Sequence, residues 1–249
     1  MKRILLIETG NTNTRFAITD GRKIGRVIFI PTAKLSGIPH AIGRYDAAVL
    51  SSVVPAVTAK LCRWLPVKPL LVNASANLGI GIRYPQPKQI GADRLANAVG
   101  VVNLYGAPAI VVAFGTALAF DVVSPAREYV GGVIAPGLAA MTDYLHEHTA
   151  LLPHIDLREP RSVIGKSTVN AMEVGAVIGY RGLVKEILAA IRREPGLQRA
   201  VVVATGGYGE LIAKKVPAIQ HVNPLLTLEG LRFIYLRNSR DWKDGRTDE

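Results

Sequence analysis

The stretch VVAFGTALAF, residues 111–120, is built on the same plan as LIETGNTNTR, residues 6–15. Each is an apolar run, a tight turn at glycine, and a small polar or apolar return. A buried strand reads as a continuous run of this kind, and the glycine marks where it ends. The two stretches align at an offset of 105 residues, which sets Ala113 on Glu8 and Gly115 on Gly10. At that offset Leu5/Ile110, Leu6/Val111, Ile7/Val112, Ala17/Val122 and Ile18/Val123 also agree in character. Self-similarity at one fixed offset is the mark of an internal duplication. The expectation is an α/β chain of two related lobes with mixed sheets, 1–106 and 107–249, divided near Tyr105 to Pro108. The first copy carries a carboxylate, Glu8, where the second carries Ala113.

Outward from the first turn, RILLIET reads as a strand. TRFAITDGRKIGRVIFI reads as two more strands joined at Asp20-Gly21, an Asp-Gly hairpin signal. AAVLSSVVP is a strand closed by Pro55, and PLLVNA is another. GADRLANAVGVVNLYG has helical spacing at Leu95, Ala98, Val99 and Val102 and stops at Gly106. After the second turn, GLAAMTDYLHEHTALL and STVNAMEVGAVIGYRGLVKEILAAIRRE are helical. RAVVVATGGYGELIAKKV is strand, glycine turn, helix. TLEGLRFIYLRN closes the chain as a helix with Thr227 expected as its N-cap. The polar tail 239–249 is expected to be disordered.

Composition narrows the function classes. The chain has 249 residues with 49% hydrophobic content, which predicts a folded globule with real cores. The formal charge is +11 and aromatics are 6%. The basic residues are scattered rather than clustered, so an anionic small substrate fits the charge better than nucleic acid. A single cysteine, Cys62, excludes an internal disulfide and is expected to be a small buried hydrophobe. The apolar run near the start is too short for a signal peptide, and no stretch reaches the ~18 residues of a spanning helix. A cytoplasmic protein is expected.

Three glycine turns follow apolar strands: ETGNT, AFGT and ATGG. Glycine lets the backbone approach a phosphate, and N–H groups with Thr or Asn side chains donate to its oxygens. An acidic side chain at a strand end can hold the accompanying Mg2+ directly or through water. GKS at 165–167 is not a P-loop, because Pro160 stands where that motif needs glycine and no strand leads into it. GADR, residues 91–94, sets Asp93 and Arg94 at a helix start. Asp93 there is read either as a cap or as a general base beside an anion-binding Arg94. His146, His148 and His154 lack the spacing for a shared metal on one helix face, and solvated or capping roles are expected.

Taken in order, GNTNTR, YPQPKQIGADRLAN, FGTALAFDVV, GGVIAPGL, TALLP, IGKSTVNAMEVG, ATGGYGELI and NPLLTLEGLRFIY resemble type III pantothenate kinase over nearly the whole chain, to about Asn238. The resemblance implies a duplicated ribonuclease H-like (actin-like) fold, a homodimer, and transfer of the ATP γ-phosphate to pantothenate, the first step toward coenzyme A. Carried over by motif, Glu8, Thr9, Gly10, Asn11, Thr12, Asn13, Thr14 and Arg15 hold ATP phosphates, with Gly115 and Thr116 as further contacts. Tyr84, Gly91, Ala92, Asp93, Arg94 and Thr168 form the pantothenate pocket, with Asp93 as general base. Glu8 stands where the family has Asp and is the expected Mg2+ ligand. Ala113 stands where the family has a cation-binding Asp, and Leu118 and Ala119 replace two threonines. A K+ or NH4+ site is therefore expected to be lost. The alternatives are a catalytically weakened homologue that binds ligand as an accessory protein, and a kinase of another hydroxylated anion.

Overall fold

A computed structural model of the chain describes residues 2–239. These fall into two compact units, one formed by residues 2–104, 127–130 and 225–239 and the other by Tyr105–Ala126 and Gly131–Pro224. Relative to a division into 1–106 and 107–249, the short segment 127–130 and the last helix go with the first unit. The expected tail lies outside the described residues, Ser239 excepted.

The first unit is organised by a five-stranded sheet. Its strands are β1 (Ile4–Thr9), β2 (Asn13–Thr19), β3 (Ile28–Pro31), β4 (Ala47–Ser52) and β5 (Leu70–Leu71), in the order β3-β2-β1-β4-β5. β2 runs antiparallel to β1 and β3, while β4 runs parallel to β1 and β5. β1 is central, so both of its faces are buried and its sequence is a continuous apolar run. On one face Leu5, Ile7, Phe16, Ala48 and Leu50 pack with Leu61 and Leu65 of α1 (Pro55–Trp64) and the residue after it. On the other face Ile4, Leu6 and Val49 are equally buried.

A short β6 (Gly81–Ile82) and α2 (Ala92–Tyr105) follow β5 in the first unit, and the last helix, α6 (Leu226–Asn238), packs on β1 and β4. α2 and α6 cross closely at Gly230. A Cβ at Gly230 would collide with the Ala96 carbonyl, so only glycine lets the two backbones approach.

The second unit repeats the plan strand for strand. β7 (Ala109–Phe114), β8 (Ala117–Val123), β9 (Glu128–Pro136), β10 (Val201–Gly206) and β11 (His221–Val222) lie in the order β11-β10-β7-β8-β9. β8 is antiparallel to β7, and β10 is parallel to β7 and β11. This is the first sheet's order with β7 in the place of β1. α3 (Leu138–His148), the long α4 (Thr168–Arg193) and the short α5 (Gly209–Ala213) complete the unit. Ser167 caps α4, its hydroxyl accepting the Asn170 N–H at 3.2 Å, so the GKS sequence serves as a helix start. His146 and His148 contact backbone carbonyls at the end of α3, each at 3.0 Å through Nδ1.

The duplication is thus legible in space, with one adjustment. β1 and β7 match at an offset of 105, but β2 and β8 match at 104, because the second turn is one residue shorter. The ladder pairs show it: Leu6 faces Ala17, and Val111 faces Asp121. Ala17 therefore corresponds to Asp121, not Val122, and Ile18 to Val122.

Three local expectations are corrected. Pro55 opens α1 rather than merely closing a strand, because its missing N–H is harmless in a first helical turn. Cys62 is exposed on α1. Thr227 lies inside α6 behind Leu225, and its hydroxyl is drawn to other elements rather than to its own helix end. The Asp20-Gly21 turn forms as expected, with Asp20 Oδ1 accepting the Arg22 and Lys23 N–H groups at 2.8 and 2.9 Å. β3 begins only at Ile28, however.

Candidate active site

The first glycine turn, residues 10–12, is held from below. Gly10 N–H donates to Asn13 O at 2.9 Å. Thr32 Oγ1 donates to Gly10 O at 2.8 Å and shares a hydrogen bond with Thr14 Oγ1 at 3.1 Å. Thr9 and Thr14 are buried, whereas Asn11, Thr12 and Asn13 are exposed. The turn thus offers three polar side chains outward, and Thr14 shapes the loop from inside.

Beside this turn, Glu8 and Arg15 sit opposite each other in the β1–β2 ladder, and Ser51 of β4 is the next residue across the same face. The Glu8 carboxylate pairs with the Arg15 guanidinium, both side chains being about five-sixths buried, at 16% and 14% exposure. Arg15 Nη2 also donates to Thr227 Oγ1 at 3.3 Å, and Thr227 Oγ1 donates to Asn97 Oδ1 at 2.9 Å. Asn97 and Asp93 are four apart on α2 and share a face. Burial pushes the Glu8 carboxyl up, Arg15 pulls it partly back, and the nearby Asp93 charge adds to the rise. Two carboxylates, one from a strand end and one from a helix start, are therefore close enough to feel each other.

Asp93 is the second residue of α2. Burial raises its carboxyl, opposed by a 2.9 Å hydrogen bond from the Arg94 backbone N–H and by the Arg94 charge. A carboxylate raised by burial is a stronger proton acceptor than one in water, which suits a general base. The Arg94 guanidinium lies 5.7 Å from the centre of the Tyr129 ring, and Tyr84 packs edge-on against Tyr129 at 6.2 Å. Tyr84, Gly91, Ala92, Asp93 and Arg94 are thus gathered in the first unit. Thr168 begins α4 in the second unit.

The second glycine turn lies at the end of β7. Gly115 and Thr116 are exposed, and Gly115 N–H donates to Ala117 O at 3.1 Å, matching the Gly10 closure one residue shorter. α3 begins directly against it. A Cβ at Gly137 would strike the Thr116 and Gly115 carbonyls. The ladder partner of Ala113 is Ala119, and its neighbour on β10 is Thr205. The row Arg15–Glu8–Ser51 is matched by Ala119–Ala113–Thr205. Leu118 pairs with Phe114 and is fully buried, so it belongs to the face opposite Ala113.

Sequence reasoning missed Asn97, Thr227, Ser51, Tyr129 and Gly137. Asn97 was signalled by its four-residue spacing from Asp93. The others are joined to the site by pairing and packing that no local pattern announces.

A family model described as type III pantothenate kinase matches residues 4–190. A type III pantothenate kinase of Akkermansia muciniphila is 54% identical over 235 residues, covering 92% of this chain and 96% of that protein. Among solved structures, a Baf family protein from Campylobacter jejuni superposes with a TM-score of 0.64 at 18% identity, covering 94% of this chain and 98% of that one. An archaeal actin homolog does so with a TM-score of 0.53 at 12% identity, covering 95% and 100%. The two structural likenesses bear on the fold, which is the duplicated actin-like α/β architecture. The family model and the sequence relative bear on descent, and by them the chain belongs to the type III pantothenate kinase family.

Proposed function

We propose that this protein is an ATP-dependent pantothenate kinase, transferring the γ-phosphoryl group to the hydroxyl of pantothenate in the first step of coenzyme A synthesis. The observation that carries the reading is Asp93: a burial-raised carboxylate at a helix start, next to Arg94 and within electrostatic reach of Glu8. Asp93 accepts the hydroxyl proton as the oxygen attacks the γ-phosphorus and ADP departs. Arg94, held against Tyr129, meets the substrate carboxylate, with Tyr84, Gly91 and Ala92 beside it in the first unit; in the second unit Thr168, at the start of α4, is the further pantothenate contact that the family motif implies. In the first unit Gly10, Asn11, Thr12 and Asn13 take the phosphates, while Thr9 and Thr14 are buried beneath the turn; in the second unit Gly115 and Thr116 are the phosphate contacts. Phosphoryl transfer needs chiefly such positioning and charge neutralisation.

Among the described residues no group of three or more His, Cys, Asp or Glu could hold a metal unaided. A magnesium ion is usually held by one or two carboxylates together with substrate phosphates, and Glu8, at the end of β1 beside the first glycine turn, fits as one such donor. Mg2+ entering with ATP would neutralise charge on the phosphate oxygens. The second turn has no carboxylate for a monovalent cation: Ala113 and Ala119 offer no side-chain oxygen, and Thr205 beside Ala113 brings one hydroxyl.

Self-association and a cytoplasmic setting belong to the same proposal. Met141, Tyr144, Leu145, Leu151, Val163 and Ile164 of the second unit are exposed apolar side chains, and covering such side chains favours a homodimer. Among the described residues no helix is long and apolar enough to cross a membrane.

The test is a coupled ADP-release assay with Mg2+-ATP and pantothenate, with and without K+. Pantothenate-dependent turnover insensitive to K+ is expected. Turnover no greater than that of Asp93→Ala would refute the kinase reading.

A further inference from the structure

Arg15 closes the phosphate-holding stretch in the sequence, yet its guanidinium is turned to the protein. It meets the Glu8 carboxylate and donates to Thr227 Oγ1 at 3.3 Å. Thr227 in turn donates to Asn97 Oδ1 at 2.9 Å, one helical turn beyond Asp93. A continuous polar chain therefore runs from β1 through β2 and α6 to α2, and both of its ends carry a carboxylate of the site. Thr227 and Asn97 are themselves buried, so the chain is fixed by packing on each side.

The second unit supplies an independent observation. At the positions that match Glu8 and Arg15, the residues are Ala113 and Ala119, also paired across their ladder. The phosphate-type turn itself persists there as Gly115-Thr116. An arginine serving the phosphates would be wanted wherever the turn is kept. In this chain the arginine stands beside the carboxylate in the first unit, and the second unit, with its turn kept, has neither.

Building on the kinase reading, we propose that Arg15 is a positioning residue. It fixes the Glu8 carboxylate and, through Thr227 and Asn97, the helix that carries Asp93, and it does not grip the phosphates of the nucleotide. Its contribution falls on the chemical step rather than on nucleotide binding.

The test compares full-length Arg15→Met, Arg15→Lys, Glu8→Gln and the double variant Glu8→Gln/Arg15→Met. Arg15→Met is expected to lower kcat by about 10²-fold, the scale of a misplaced catalytic group. Both KM for ATP and the calorimetric Kd for ADP are expected to stay within about threefold, the sign of an interaction made at the chemical step. Arg15→Lys should recover part of kcat, and the double variant should be no slower than Glu8→Gln alone. A rise of about tenfold or more in the ADP Kd of Arg15→Met with kcat retained would overturn the proposal, since it would mark a phosphate contact. Urea unfolding of the same four proteins gives a readout without turnover. Non-additive destabilisation at positions 8 and 15 is expected, and strict additivity would count against the pair. If the wild type turns nothing over, the kinase reading fails, while ADP affinity and unfolding still decide the role of Arg15. If Arg15→Met does not fold, Arg15→Lys and the double variant carry the same comparison.

Discussion

Glu8 and Arg15 face each other across the β1–β2 ladder as an ion pair, and the two positions that match them in the second unit, Ala113 and Ala119, face each other as alanines. The carboxylate and its arginine are therefore both present in the first unit and both absent from the matching positions of the second. A lone buried charge is costly, whereas a pair of small apolar residues is not.

The same asymmetry predicts stability. Arg15→Ala alone is expected to cost about 3 kcal/mol, the lower end of the range for stripping one partner from a buried pair, because this pair is not wholly buried. Glu8→Ala/Arg15→Ala should cost less than Arg15→Ala. Urea denaturation of the three proteins measures it, and a double variant weaker than Arg15→Ala would contradict the account.

Asp93→Asn is expected to stabilise the protein while disabling it. Burial holds the Asp93 carboxyl above its ordinary 3.8, with the Arg94 N–H and charge opposing only in part. The folded chain therefore binds this proton more tightly than the unfolded chain does. Its contribution to stability is fully present below pH 3.8 and is lost as pH rises through the folded value. Asparagine removes that loss. The variant should melt above wild type at pH 8, with the gain shrinking as pH falls, while kcat drops by about 10²-fold or more. A melting gain unchanged between pH 8 and pH 4 would rule out the burial explanation.

Gly137→Ala is expected to act on the nucleotide side. The added methyl must displace the Thr116 and Gly115 carbonyls or the start of α3. A shift of about 1 Å in a positioned site is enough to cost on the order of 10²-fold in kcat/KM, here measured for ATP. Binding of pantothenate alone, followed by calorimetry, should change far less. Equal losses for both ligands would mean that Gly137 acts by general destabilisation.

Ala113→Asp is not expected to create K+ stimulation. The neighbours of Ala113 on its face are Ala119 and Thr205, which together bring a single side-chain hydroxyl. A K+ titration of the variant in the ADP-release assay should leave the rate flat, and marked activation by K+ would show that one carboxylate suffices.

Much of this was open to reading from the sequence, and the reason is that strands buried on both faces leave long apolar runs. ILLIET and AIVVAF announce β1 and β7, and the glycines announce their turns. The offset between the later strands was misjudged by one residue. Ala17 and Val122 are both apolar, so hydrophobic character favours that match over the true one of Ala17 with Asp121, which only the ladders reveal. Asp93 and Arg94 were legible because GADR is local. The partnership of Arg15 with Glu8 was not, since it depends on strand register, nor was its link to Thr227, which is 212 residues away. Thr227 looked like a cap by its position, but the helix starts one residue earlier and the hydroxyl serves Arg15 and Asn97.

The shorter second turn has a consequence for how such a chain tolerates length change. A residue lost at the start of β8 would have inverted every side chain after it, carrying Phe120 and Val122 together to the other face of the sheet. A residue lost between β7 and β8 leaves the alternation of both strands untouched. Insertions and deletions should therefore accumulate at residues 10–12 and 115–116 during the divergence of the two halves, while the strands on either side keep their length. The glycine turns are where the two copies were free to become different.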